Sequence, residues 1–191
     1  MTEPSLFGIG KTQWEFIISF GSWLSAVGTL AAVWVSLYLA NRISTPKAKV
    51  TVGHRITVQP GQSGPYPEFI LFNIVNTGER IFRINQIGWR VGFRKKRFAV
   101  QLYDEKSSST LPIELSHGQE AHWFVPLNAD KHEPWLTYFA KGMLLPNTRT
   151  SCATLRAQFF TSVGHVFVAK PEAVLIDKLR AACRALQSND G

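Results

Sequence analysis

The chain has 191 residues, 45% of them apolar and 18% charged, and carries a net charge of +8 at neutral pH. That length holds one domain of ordinary size, or a small domain with an appendage, and so much Phe, Trp, Leu and Val excludes an intrinsically disordered chain. Two cysteines are too few for a disulfide framework or, by themselves, a structural zinc site.

Residues 1–15 form a short tail with one lysine against two glutamates, unlike the basic leader of a cleaved signal peptide. Residues 16–40 follow without a single charge. As a helix they span roughly 37 Å, more than the roughly 30 Å hydrocarbon core of a bilayer, which predicts a single N-terminal transmembrane α-helix. Only Lys11 flanks its N-terminal side, whereas Arg42, Lys47, Lys49 and Arg55 flank the other. Basic flanks stay inside, so the expected topology has the N-terminus outside and the rest cytoplasmic. Trp14 and Tyr38 suit the two interfacial aromatic belts. Wound at 100° per residue, the span gathers Gly21, Ser22, Ser25, Gly28, Thr29, Ala32 and Ser36 on one arc and Trp23, Val27, Leu30, Trp34 and Leu37 opposite. Small residues let helix backbones approach closely, so the arc is the candidate helix–helix interface of a homo-oligomer. A monomeric anchor is the alternative.

After a linker at 41–48, residues 49–170 have the pattern of a mainly-β domain. Val50, Val52, His54, Ile56 and Val58 alternate with Thr51, Arg55 and Thr57, the period of a strand. The Pro/Gly-rich PGQSGPYP breaks the chain, and EFILFNIVNTG makes a second strand closed by a turn at Asn76-Thr77-Gly78. RIFRINQIGWRVGF and RFAVQLY pair as a hairpin with a basic tip, and further strands are expected at 121–127, 153–161 and 165–170, the last two joined across Ser162-Val163-Gly164. Seven or so short strands predict a β-sandwich or a small barrel. Two helices complete the pattern. HEPWLTYFAKG carries Pro134 for a first turn and Gly142 for a stop, and residues 171–191 hold a C-terminal amphipathic helix with Leu175, Leu179, Ala182 and Leu186 on one face, then a polar tail.

No catalytic, metal or cofactor motif stands out. HGQEAH places Glu120 between His117 and His122, but Gly118 marks a turn, so a polar loop entering a strand is expected rather than a metal site. Asp104 and Glu105 open a solvated loop, and Cys152, opening a strand, and Cys183, on a helix's apolar side, are expected to be reduced and packed. Charge is the stronger signal. Beyond residue 41 there are 20 basic and 11 acidic residues, a net +9, densest at Arg90, Arg94, Lys95, Lys96 and Arg97. That patch suits membrane lipids, a nucleic-acid or nucleotide trigger stacking on Phe93 and Phe98, or no partner beyond solvent.

The uncharged span 16–40 followed at once by the β pattern from Val50 resembles the small membrane-anchored effectors of bacterial antiviral systems of retron or cyclic-nucleotide type. Around Asn76-Thr77-Gly78, Leu111-Pro112 and Gly164 the cytoplasmic part is similar to immunoglobulin-like domains of small prokaryotic membrane proteins. The resemblance implies a non-enzymatic effector that self-associates through its helix and perturbs the membrane when a protein, nucleic-acid or nucleotide trigger reaches the β domain, in phage defence. The alternative is a passive membrane-tethered binding module or accessory subunit of a membrane assembly.

Overall fold

The computed structural model describes residues 11–58, 61, 66–128 and 134–189, without the side chains of 11–14, 17, 41–44 and 189. Most of the PGQSGPYP break, the first residues of the helix expected from His132, and the Trp14 side chain lie outside the described residues. The chain divides into two units, Met1–Thr45 and Pro46–Gly191.

The first unit contains helix α1 (Lys11–Ser44). Within it the 23 residues Ile18–Ala40 are long and apolar enough to cross a membrane, and their side chains are exposed. Thr29 and Ser36 donate their hydroxyls to the Ser25 and Ala32 carbonyls at 2.9 and 2.8 Å. Such bonds, one turn back, satisfy the polar groups inside the helix and lower their cost in an apolar surrounding.

The second unit is mostly β. Its strands are β1 (Ala48–Ile56), β2 (Glu68–Asn76), β3 (Phe82–Val91), β4 (Arg97–Val100), β5 (Ile113–Leu115), β6 (Glu120–Pro126), β7 (Arg156–Thr161) and β8 (Val166–Ala169). They form two antiparallel sheets, β1-β2-β6 and β4-β3-β7-β8, with β5 also pairing β3. Alternation buries Ile70, Phe72 and Ile74 from β2 and Ala121, Trp123 and Val125 from β6. In β3 a register shift between Ile84 and Gln86 changes parity, so Ile87, Trp89 and Val91 face the same core as Phe82 and Ile84. The sheets meet through aromatic rings, with Phe72 5.0 Å from Trp89 and 5.9 Å from Phe159. At the expected turn, Asn76 is fully buried. Its Oδ1 accepts the Gly78 N–H, and its Nδ2 donates to the Leu115 and Arg80 carbonyls.

Two expectations are corrected. The strand expected from 153 starts at Arg156, because residues Thr148–Thr154 form helix α3 and Cys152 lies in it. The threonines there resemble strand formers, yet Thr150 and Thr154 return their hydroxyls to the Asn147 and Thr150 carbonyls, and the Thr154 hydroxyl also accepts the Gly92 N–H at 3.0 Å. Gly142 does not stop the preceding helix. Helix α2 (Trp135–Phe139) runs on as a π-helical turn, Ala140–Leu144, and ends at Leu145, which is extended before Pro146.

Helix α4 (Ala173–Asn189) buries Leu175, Ile176, Leu179 and Cys183. Polar contacts fix its start. Glu172 receives both guanidinium nitrogens of Arg55 at 2.6 and 2.7 Å, and Lys178 reaches Glu68 at 2.6 Å, where His54 also bonds at 2.9 Å. The Glu172 carboxylate lies so close over Gly53 that any side chain there would collide with it.

Trp89→Ala removes the ring shared by both sheets and should cost about 4 kcal/mol, read by denaturant unfolding. Lys178 with His54 holds the Glu68 carboxyl below its ordinary range, and Arg55 does the same for Glu172. Lowered folded-state values mean that this stabilisation is complete above the ordinary carboxylate range and is lost as pH falls through the folded-state values. Stability should therefore decline as these carboxylates titrate on acidification, and less steeply in the Glu68→Gln/Glu172→Gln variant, measured by thermal melts across pH.

Candidate functional site

Beside β4 the second unit opens into a cleft of about 1310 Å³. One wall is β4 and the segment after it, Ala99 to Asp104, and the other is α2 with its π-helical turn, including Tyr138, Lys141, Gly142 and Met143. Val125 to Leu127 at the end of β6 close the third side. Trp89 lies at the base, tilted against Trp135 and Phe139 at 6.0 and 5.3 Å, and those two rings stack at 4.5 Å. Trp89 donates its indole N–H to Gln101 Oε1 at 2.6 Å, and Gln101 donates its amide to the Leu102 carbonyl at 2.6 Å. The base is thus both packed and hydrogen-bonded before any ligand arrives.

The local sequence accounts for this geometry. Trp135 and Phe139, one turn apart on α2, point together into the domain, while Tyr138 between them is left exposed. Arg97 donates to the Met143 carbonyl at 2.7 Å and ties the start of β4 to the end of the π-helical turn. Small-molecule sites usually enclose about 300–1,000 Å³. This cleft is larger and open, which suits an elongated ligand with apolar groups.

The structure divides the expected basic patch. Arg94, Lys95 and Lys96 are exposed at the β3–β4 tip, whereas Arg97 is engaged with Met143. Arg90 is half-buried on β3, opposite Arg156 of β7, with a shielded Nε that has no hydrogen-bond partner. The HGQEAH residues do not converge. His117 contacts the Gly78 carbonyl at 3.2 Å, Glu120 is exposed, and His122 packs on Phe124. Among the described residues no group of three His, Cys, Asp or Glu side chains is placed to hold a metal. Of His117, Glu120, His122 and Asp104, only Asp104 lines the cleft, its carboxyl held below the ordinary range by the Ser107 hydroxyl and the Lys106 N–H. Gly21, Ser22, Ser25, Gly28, Thr29, Ala32 and Ser36 all lie within α1 and are exposed.

No protein-family model matches the chain, and neither does any curated protein. Among solved structures it is similar to a Bordetella pertussis protein provisionally called ApaA, at 15% identity and a TM-score of 0.31, over 66% of this chain and 89% of that one. That likeness is too remote to transfer a fold or an activity.

Cys152 and Cys183 are free and buried, and burial pushes both thiols above their ordinary range. Thiolate is the reactive form. Iodoacetamide should therefore modify both at least 100-fold more slowly in the folded protein than in denaturant, as read by mass spectrometry.

Proposed function

We propose that the protein is a single-pass, membrane-anchored recognition module. Its helix α1 is inserted in the bacterial inner membrane with the N-terminus outside, and its cytoplasmic β domain is an immunoglobulin-type sandwich that binds a partner in the cleft beside β4. The cleft carries this reading, because its aromatic base is assembled by the fold while Leu102 and Tyr138 remain 81% and 70% exposed at its walls. Exposed apolar groups around an open recess mark binding surfaces in soluble domains. The anchor is supported by the length and composition of Ile18–Ala40 and by the basic residues that follow it. The sandwich type is supported by strand order. β1, β2 and β6 take the positions of strands A, B and E, while β3, β7 and β8 take those of C, F and G, with β4 added beside C.

One observation favours a second reading, in which occupancy of the domain drives copies together and perturbs the membrane in phage defence. That observation is the small-residue arc of α1, Gly21, Ser22, Ser25, Gly28, Thr29, Ala32 and Ser36, since small residues let helix backbones approach closely.

The full chain should resist carbonate extraction from membranes. A cysteine replacing Val163, exposed in the β7–β8 turn, should react with an impermeant maleimide only after the inner membrane is opened. Labelling in intact spheroplasts would reverse the orientation. A photocrosslinking residue at Tyr138 should capture a partner in cells, and Gly142→Trp, which fills the cleft, should abolish the capture. Persistence of the crosslink would remove the cleft from recognition. Gly28→Leu should lower crosslinked oligomers several-fold with carbonate resistance unchanged, and unaltered oligomers would leave α1 a passive anchor.

A further inference from the structure

The free edges of the two sheets are not alike. On β6 the outer edge is taken up by the chain itself. The Asp104 and Ser109 N–H groups bond the Phe124 and His122 carbonyls, and the Ser108 and Ser109 hydroxyls accept the Phe124 and His122 N–H groups. On β1 the Val52 carbonyl accepts the Glu172 N–H, and β8 runs beside β1. Among the described residues β4 has no such cover. The Gln101 N–H bonds the Ile87 carbonyl, and β4 pairs β3 as Trp89↔Ala99 and Val91↔Arg97. In an antiparallel ladder the bonded residues alternate, so the N–H and C=O groups of Phe98 and Val100 point off the sheet. Exposed edges are normally blunted by charge, proline or a covering loop. Here the residues presenting those groups are a Phe and a Val, 60% and 61% exposed.

This open edge is also the rim of the cleft. Ala99 and Gln101 face the cleft interior beside Trp89, and beyond them the recess extends to Tyr138 and Gly142. A strand laid along β4 would point alternate side chains into that recess. At the start of β4 stand the exposed cations Arg94, Lys95 and Lys96. In an antiparallel arrangement the C-terminal end of the added strand lies beside them.

We infer that the cleft binds its partner by strand addition: an extended peptide segment of another protein pairs antiparallel with β4, places alternate apolar side chains in the cleft, and sets acidic residues at its C-terminal end against the Arg94-Lys95-Lys96 tip. This rests on the recognition role proposed for the cleft and names the class of partner. Main-chain bonds to Phe98 and Val100 supply pairing, the aromatic recess selects alternate side chains, and the tip fixes direction.

The test uses the full chain in phosphatidylcholine nanodiscs and a fluorescent nine-residue peptide in which Phe or Val alternates with Thr before three acidic residues. Binding is followed by fluorescence polarisation. The peptide should bind saturably. N-methylation of alternate peptide nitrogens in one frame should weaken binding at least tenfold, and in the other frame should leave it within about twofold, because only one frame faces β4. Val100→Pro removes an edge donor that plays no part in the β3 ladder and should weaken binding to a similar degree with an unchanged melting temperature. Equal binding of both methylated frames, or no binding at millimolar peptide, overturns strand addition. If the Tyr138 crosslink still forms, the cleft reading survives that result. If the crosslink is lost as well, both fall. Displacement of the peptide by excess unlabelled full chain would give the edge to a second copy and would equally overturn the proposal.

Discussion

Trp89 is the residue through which the parts of the β domain are joined. Its ring is buried to 1% exposure, one face of its surroundings coming from Phe72 on the opposite sheet and another from Trp135 and Phe139 on α2. Its indole N–H cannot be buried without a partner at tolerable cost, and Gln101 provides one just beyond β4. Sheet packing, the seating of α2 and the course of the chain after β4 are therefore set by the same side chain. The cleft follows from these constraints. α2 must come close enough to stack on Trp89, yet Tyr138 and Gly142 remain too far out to fill the space against Ala99 to Asp104.

Edge management is the second organising theme. Two sheets of three and five strands have several outer edges, each a row of backbone donors and acceptors that attracts other chains. The serine-rich loop after Asp104 covers β6 by direct backbone bonds and hydroxyls, which explains a Ser-Ser-Ser run that composition alone marks as solvated loop. Glu172 and α4 secure β1 through Arg55, with Gly53 making room. Against that background the edge of β4, uncovered among the described residues and bordering the cleft, stands out as the place where the domain is prepared for another strand.

Charge is distributed by the fold in a way the linear patch conceals. Five basic residues within eight positions look like one surface, but strand geometry sends neighbours to opposite faces. Arg90 is drawn against the sheet and Arg97 is spent on a carbonyl of the π-helical turn. The three cations of the tip are left to act together. In α1 the pattern runs the other way, since the small residues that share an arc in projection do share it in the helix, and the hydroxyls of Thr29 and Ser36 are satisfied by their own backbone.

Local patterning settled much of this protein. The uncharged stretch 16–40 specifies an apolar helix because length and composition alone decide that. The period-two runs locate β1, β2, β3, β6 and β8, and the spacing of Leu175, Leu179, Ala182 and Leu186 finds the buried face of α4. The turn at Asn76 was equally legible, since an Asn side chain caps its own turn. Residues 148–154 were not, because their helix is held by hydroxyl back-bonding and by contact with Gly92, a residue far away in sequence. β5 is only three residues long, Ile113–Leu115, and has no period to read. The cleft was invisible for the same reason. Trp135, Tyr138 and Phe139 announce a helix face, but nothing local says that Trp89 lies beneath it or that the edge of β4 lies opposite. Periodicity is written between neighbours a few residues apart, whereas a recess exists only between elements that the chain brings together from some 50 positions away, and tertiary packing alone decides that.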